Sequence, residues 1–162
     1  MKKRAKQKRG SVVRILTGEK LKTLVLICIA VSLVTMAPKL AAQQIRHAAG
    51  AYVTVNGAKL WYESEGTGEP LILIAGGPGS SHVQFHNYFS VLADKFRVIY
   101  FDSFGRGKSD RAKSASEYSL ARDVDDVEGL RKALGLGKIN LLGHSYGGVV
   151  AQAYALKYPS SL

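Results

Sequence analysis

The most constraining stretch of this 162-residue chain is Gly143-His144-Ser145-Tyr146-Gly147-Gly148. It directly follows an apolar run at 139–142 and opens a segment with helical character. This order predicts a sharp turn from a buried strand into a helix, with Ser145 at its apex. Gly143 and Gly147 are needed because larger side chains would collide with the neighbouring strand and helix. The turn would expose the Ser145 hydroxyl at the positive end of a helix, so Ser145 is the predicted nucleophile.

A second glycine-rich loop, Ala75-Gly76-Gly77-Pro78-Gly79, follows the apolar run at 71–74. A backbone with few side chains lets amide N–H groups approach a substrate carbonyl closely. The backbone N–H groups of Gly77 and Tyr146 are therefore the predicted donors to an oxyanion. The predicted supporting positions of the two loops are Gly76, Pro78, Gly79, Gly143 and Gly147. A phosphate-binding loop is the competing interpretation, but the Lys-Ser/Thr ending of that motif is missing.

The rest of the chain alternates between strand-like and helix-like segments. Asn56-Gly57 joins two runs of strand-forming residues and predicts a hairpin. The apolar runs at 71–74, 96–101 and 139–142 are typical of strands buried on both faces of a parallel sheet. Helices are predicted over about 81–93, 120–134 and 145–158. The pattern predicts an α/β fold with a mostly parallel sheet and flanking helices, which stops after the helix that follows Ser145.

The formal net charge of +11 would suit a nucleic-acid or membrane-surface binder. The charge is concentrated at the N-terminus, however. Residues 1–22 hold nine lysines and arginines and a single acid, whereas residues 43–162 hold 13 basic and 11 acidic residues. The domain itself is therefore nearly balanced, and nucleic acid is not an expected partner.

The basic segment 1–22 is followed by an uncharged apolar run, and small residues stand at Ala41-Ala42. This order predicts a secretory signal peptide over 23–42, cleaved after Ala42, with a retained signal anchor as the alternative. We therefore expect an exported chain, periplasmic or secreted, that contacts a membrane only through its N-terminal segment. Residues 43–50 are a predicted linker, and the predicted α/β domain occupies 51–162. The only cysteine, Cys28, lies in the apolar run, and the oligomeric state is left open.

Three histidines of the domain, at positions 82, 86 and 144, are expected to be structural and not catalytic. Neighbouring residues of a tight turn point in different directions, so His144 is predicted to lie beneath the site and not to act on Ser145. His82 and His86 are expected to be packing or rim residues of the first helix. No pair of candidate ligands has convincing metal-binding spacing, so neither a metal nor a cofactor is predicted.

Residues 51–162 resemble the α/β-hydrolase superfamily. The resemblance is carried by the Gly76–Gly79 loop, the loop Asp102-Ser103-Phe104-Gly105-Arg106-Gly107-Lys108-Ser109 and the turn at 143–148, in that order. Within the superfamily, the motifs are most similar to the proline iminopeptidase group of serine aminopeptidases. The resemblance implies acyl-enzyme chemistry on an amide or ester of a small-molecule or short-peptide substrate. It also implies that Asp102 and Arg106 organise their loop.

Three positions depart from the family pattern. Ala75 replaces a histidine, Ser103-Phe104 replaces Gln-Arg, and Tyr146 replaces the tryptophan that often follows the nucleophile. These departures leave acyl transfer as the expectation and weaken N-terminal proline as the substrate. Carboxylesterase or another α/β-hydrolase activity therefore stays open. Ser145 itself excludes the branch of the superfamily that uses an aspartate nucleophile.

The family order is nucleophile, then acid, then histidine, yet no histidine follows Ser145. We therefore expect this chain to be the N-terminal portion of a longer hydrolase, without the C-terminal half or the lid. On that expectation, the chain alone is inactive as a catalyst. A non-catalytic, truncated and membrane-tethered fragment is the alternative.

Overall fold

The computed structural model describes Gly18, Lys22 and residues 49–162. The chain divides into two units, Met1–Gln44 and Ile45–Leu162. The predicted signal segment and most of the predicted linker lie outside the described residues. Among the described residues, no helix has the length and apolar character needed to cross a membrane.

The second unit contains a five-stranded sheet and three α-helices. The strands are β1 (Ala51–Val55), β2 (Ala58–Glu65), β3 (Glu69–Ile74), β4 (Phe96–Phe101) and β5 (Asn140–Gly143). The helices are α1 (Val83–Phe89), α2 (Leu120–Ala133) and α3 (Tyr146–Lys157). Short 3₁₀ segments occupy Ser90–Asp94, Ala115–Glu117 and Pro159–Ser161.

The strand order in the sheet is β1-β2-β4-β3-β5. β1 and β2 form an antiparallel hairpin whose turn, Asn56-Gly57, has positive φ at both residues, 48° and 79°. β2 is also antiparallel to β4, while β3 runs parallel to both β4 and β5. The sequence-based prediction of an α/β sheet entered through a hairpin is therefore confirmed.

Strand β3, which lies between β4 and β5, is buried on both faces. Successive side chains of a strand point to opposite faces, and Ile72 and Ile74 join the core formed with α2 and α3. Leu71 and Leu73 join the core formed with α1. The carboxyl ends of β3, β4 and β5 thus lie side by side, and the three loops singled out in the sequence leave from that edge.

Three sequence-based predictions need correction. β5 is not buried, because Asn140 is exposed and β5 pairs on one side only among the described residues. The predicted helix over 81–93 is shorter, because α1 ends at Phe89 and a 3₁₀ segment continues from there. The last helix begins at Tyr146 and not at Ser145, since Ser145 has a positive φ that no α-helix accepts.

Candidate active site

Ser145 lies between β5 and α3 in a strained backbone conformation. Its φ and ψ are 54° and −118°, and the residue is exposed. Asn56 is the only other non-glycine residue with positive φ in the described part of the chain. Such a conformation costs of order 1–3 kcal/mol and persists only where the surroundings impose it. The predicted sharp turn is present, and it places the Ser145 hydroxyl group beside the N-terminus of a helix.

The two glycines of this turn are needed for steric reasons. A Cβ on Gly147 would lie 2.1 Å from the carbonyl oxygen of Ile74, and one on Gly143 would lie 2.2 Å from the carbonyl oxygen of Gly147. Backbone atoms cannot yield as a flexible side chain would. The crowding expected from the sequence is therefore present, and it leaves room only for glycine at these two positions.

The glycine-rich loop after β3 touches this turn. A Cβ on Gly76 would lie 3.1 Å from the Cβ of Ser145. The next residue, Gly77, is exposed and has a φ of 46°. Tyr146 is the first residue of α3, so its amide is one of the four N–H groups without an acceptor inside the helix. The structure thus brings both predicted oxyanion donors to the neighbourhood of Ser145.

His144 does not lie beneath the site. The residue is exposed, and its Nδ1 lies 2.5 Å from the position that a Cβ on Gly76 would occupy. The expectation that His144 lies beneath the site is therefore wrong, whereas the expectation that it does not act on Ser145 stays a prediction.

The loop after β4 is tied together by Asp102. This buried carboxylate accepts the backbone N–H of His82 and that of Lys108, each at 2.8 Å. Burial by itself would raise the pKa of Asp102, but the hydrogen bonds from His82 and Lys108 outweigh it and the pKa is lowered. The ionised side chain therefore joins the start of α1 to the loop at 102–109.

His82 lies between two carboxylates. Its Nδ1 is 2.8 Å from Asp102 Oδ1, and its Nε2 is 3.0 Å from Glu63 Oε1. Burial alone lowers the pKa of His82, but hydrogen bonding and charge from Asp102 and then Glu63 raise it overall. Glu63 Oε2 is also 3.0 Å from Nε2 of His86, which stacks on Tyr100. Both histidines are buried, so they are packing residues and not rim residues.

Glu63, His82 and His86 are also the residue types that bind zinc. Their candidate ligand atoms all lie within 4.8 Å of one another. Glu63, on β2, was missed by the sequence argument because it stands 19 residues before His82. Trp61 Nε1 also donates to Glu63, at 3.0 Å, so the described geometry is that of a hydrogen-bonded cluster. The absence of a metal stays a prediction.

A second buried ion pair connects the glycine-rich loop to the turn at Ser145. Arg106 donates from Nε to the carbonyl of Pro78 and pairs in bidentate fashion with Asp123. Asp123 also accepts from the hydroxyl of Tyr146, at 2.8 Å. Burial, and then Asp123, raises the pKa of Tyr146 to about 12. The sequence pointed to Arg106 as a loop-organising residue, but nothing in it singled out Asp123.

A family comparison matches residues 69–162 to the alpha/beta hydrolase fold. The chain is 43% identical over 106 residues to a proline iminopeptidase of Saccharolobus solfataricus, covering 62% of this chain and 33% of that protein. It is 35% identical over 114 residues to a proline iminopeptidase of Heyndrickxia coagulans, covering 68% and 39%.

An epoxide hydrolase of Vigna radiata has a similar structure, with a TM-score of 0.69 and 24% identity over 74% of this chain and 39% of that one. At that identity, the likeness shows the fold alone. The chain spans a third to two fifths of the length of the curated relatives named above. The family match covers more than half of the described fold and all three loops, so the chain belongs to the alpha/beta hydrolase fold family and is similar there to the proline iminopeptidase group.

Proposed function

We propose that Ser145 is the nucleophile of a serine hydrolase that transfers an acyl group from an amide or ester onto its own hydroxyl. The single observation that carries the proposal is the geometry of Ser145. An exposed serine is held at a φ of 54° at the start of a helix, against a glycine-rich loop. Strain of this kind is concentrated at functional sites. A structural serine needs neither the strain nor the exposure.

The proposed reaction follows from the groups around Ser145. Its Oγ attacks the substrate carbonyl carbon, and the carbonyl oxygen takes up negative charge. The backbone N–H groups of Tyr146 and Gly77 stabilise that charge, and the positive end of α3 stabilises it further. Removing one such donor costs a factor of about 100 to 1000 in rate. The Oγ proton passes to a base, and collapse of the intermediate expels the amine or alcohol.

Residues 1–162 supply the nucleophile and the oxyanion donors in this proposal. No histidine follows Ser145 in the sequence, and His82 is bound by two carboxylates. We therefore assign no general base to the described residues. Oxyanion donors and binding alone leave a residual acceleration of about 1000-fold or more in serine hydrolases that lose their base. We thus expect residues 1–162 to show a slow, single-turnover acylation of Ser145.

The relatives favour an aminopeptidase of the proline iminopeptidase type, whose substrate carries a free N-terminal amine. Such an enzyme also needs an acceptor for the substrate's ammonium group. Neither the loop at 75–80 nor the turn at 143–148 contains an acid, and Asp123, which accepts from the Tyr146 hydroxyl, is buried and paired with Arg106. Carboxylesterase activity is the second candidate, because Ala75, Ser103-Phe104 and Tyr146 depart from the peptidase pattern and an ester requires no ammonium site.

Labelling of the full chain with a fluorophosphonate, followed by intact mass and peptide mapping, tests the nucleophile. We expect one adduct, on Ser145, which forms faster as pH rises because hydroxide can take the hydroxyl proton. Ser145→Ala should abolish the adduct, while Ser116→Ala, at an exposed serine away from the turn, should leave it unchanged. An unlabelled wild-type chain, or equal labelling of Ser145→Ala, contradicts the proposal. Two p-nitrophenyl esters with the same leaving group separate the candidates: faster acylation by the proline ester than by its N-acetylated form would support the aminopeptidase class, and equal or slower acylation would select the second candidate.

A further inference from the structure

We propose that Arg106 and Asp123 are positioning residues that fix the separation of the two oxyanion donors. The inference rests on the proposed function, because it assigns a role to residues that support the oxyanion site. Arg106 and Asp123 are 7% and 4% exposed, so neither is available to contact a bulky substrate. Their role must be sought in what they hold in place.

One side of the ion pair holds the glycine-rich loop. Arg106 donates from Nε to the carbonyl of Pro78, the residue directly after the proposed donor Gly77. Packing does not restrain this part of the loop. A Cβ on Gly77 would meet only Ser80 Oγ, at 3.5 Å, and one on Gly79 would meet no atom within 4 Å. Among the described residues, Arg106 makes the only side-chain hydrogen bond to residues 76–79.

The other side of the ion pair holds the first residue of α3. Asp123 Oδ2 accepts from the Tyr146 hydroxyl at 2.8 Å and from Arg106 Nη2 at 3.1 Å. The backbone N–H of Tyr146 is the other proposed oxyanion donor. A single carboxylate is therefore linked through side chains to the segments that carry both donors.

Electrostatic stabilisation of an oxyanion depends on donors that are already in place when charge develops. The bond from Arg106 to Pro78 and the bond from Tyr146 to Asp123 both restrain segments whose amides must stay open to a ligand. A buried ion pair is by itself weak support for stability, since apolar replacements often serve as well. An apolar pair could not make these two directional bonds to two separate segments.

The test is the kinetics of fluorophosphonate labelling of Ser145 in the full chain, with the maximal rate constant separated from probe affinity. Arg106→Lys keeps the charge but loses the bidentate geometry, and Asp123→Asn keeps the shape but loses the charge. Each should lower the maximal rate constant about 10- to 100-fold, within the range for loss of one donor. Probe affinity should change less than about twofold, since the binding surface is intact.

Tyr146→Phe is the mildest variant, because it removes one hydroxyl and leaves the Arg106–Asp123 pair in place. We expect a fall of about 3- to 10-fold. In the Arg106→Lys, Tyr146→Phe double variant, the fold-decrease in the maximal rate constant should be smaller than the product of the two single decreases, because both changes act through Asp123. Arg111→Lys is the matched control. Arg111 also donates to backbone carbonyls of the loop after β4, but it is exposed and does not reach Pro78.

Folded variants, judged by circular dichroism, that are labelled at the wild-type rate overturn the inference while leaving the proposed function intact. If Arg106→Lys or Asp123→Asn unfolds, Tyr146→Phe decides, and a wild-type rate in that variant overturns the inference. An equal fall in Arg111→Lys also overturns it, because the effect would then be general to the loop. An unlabelled wild-type chain overturns the proposed function, and this inference with it.

Discussion

The loops after β3 and β4 are neighbours at one edge of the sheet, but they are built in opposite ways. In the loop at 75–81, Gly77, Pro78 and Gly79 are exposed, and a Cβ added at Gly77 or Gly79 would meet at most one atom. In the loop at 102–109, four side chains of mixed character are buried: Asp102, Phe104, Arg106 and Ser109. The first loop presents backbone to solvent, while the second is packed and hydrogen-bonded internally.

The difference shows how a site stays open and still keeps its shape. A loop that must admit a ligand cannot fill the space above its own amides, so it cannot be fixed by packing. Its geometry has to be fixed by an adjacent segment that does not have to admit a ligand and can therefore be packed. Here the crowded loop supplies both the Asp102 bond to the start of α1 and the Arg106 bond to Pro78.

The largest effect that tests this contrast is expected from Gly107→Ala, in the crowded loop. Gly107 has a φ of 50°, and a Cβ there would lie 2.0 Å from Asp102 Oδ2. The buried carboxylate would have to move and lose its backbone hydrogen bonds to His82 and Lys108. We expect the free energy of unfolding to fall by about 3–5 kcal/mol, measured by urea denaturation of the full chain.

Gly79→Ala is the matched control in the open loop. No atom lies within 4 Å of its added Cβ, and Gly79 is not among the positive-φ glycines. The free energy of unfolding should change by no more than about 0.5 kcal/mol. Similar losses in Gly107→Ala and Gly79→Ala would break the contrast between the loops.

An intermediate effect is expected from the pH dependence of stability around His82. Because folding raises the pKa of His82, the folded chain binds that proton more tightly than the unfolded chain does. The resulting stabilisation is complete below the unfolded value of about 6.5 and is lost as pH rises through the raised, folded pKa. The groups that face His82 are Asp102, Glu63 and His86.

His82→Gln should lower the free energy of unfolding by about 1–3 kcal/mol near pH 6, with a smaller loss at higher pH. Urea denaturation at a series of pH values above 6 measures both changes. His144→Gln serves as a control, because His144 is exposed and lies outside the cluster. A pH slope that survives His82→Gln unchanged would show that another group is responsible.

The parts of the fold that the sequence predicted are those controlled by local interactions. The apolar runs became β3 and β4, and Asn56-Gly57 became a hairpin turn because both residues tolerate positive φ. The turn at Ser145 was predictable for the same reason. A side chain at Gly143 would collide with Gly147, only four residues away, whereas one at Gly147 would collide with Ile74 on β3, a contact that local sequence does not reveal.

The polar network around the site was not predictable, because each bond joins residues far apart in sequence. Asp123 lies 17 residues from Arg106 and 23 from Tyr146. On α2, Val124, Val127 and Leu130 recur at helical spacing and are buried, although Leu120, at the start of the same pattern, is exposed. The same helix also buries three acids, Asp123, Asp126 and Glu128. Each of these acids has a partner on another element, Arg106 for Asp123, Asn56 for Asp126 and Tyr154 for Glu128, and hydrophobic periodicity carries no information about those partners.

The smallest effect is expected at the rim of the crowded loop. The Lys108 ammonium group lies 4.2 Å from the centre of the Trp61 ring and 3.7 Å from Glu63, but its side chain is 53% exposed. Solvent screens exposed pairs of this kind, so Lys108→Met, which keeps most of the apolar stem, should cost only about 0.5–1 kcal/mol of unfolding free energy. The cost should shrink in urea denaturation at high ionic strength. The Lys108 backbone N–H still reaches Asp102 in this variant, so a loss near that of Gly107→Ala would mean that charge at the rim, and not packing inside, holds the loop.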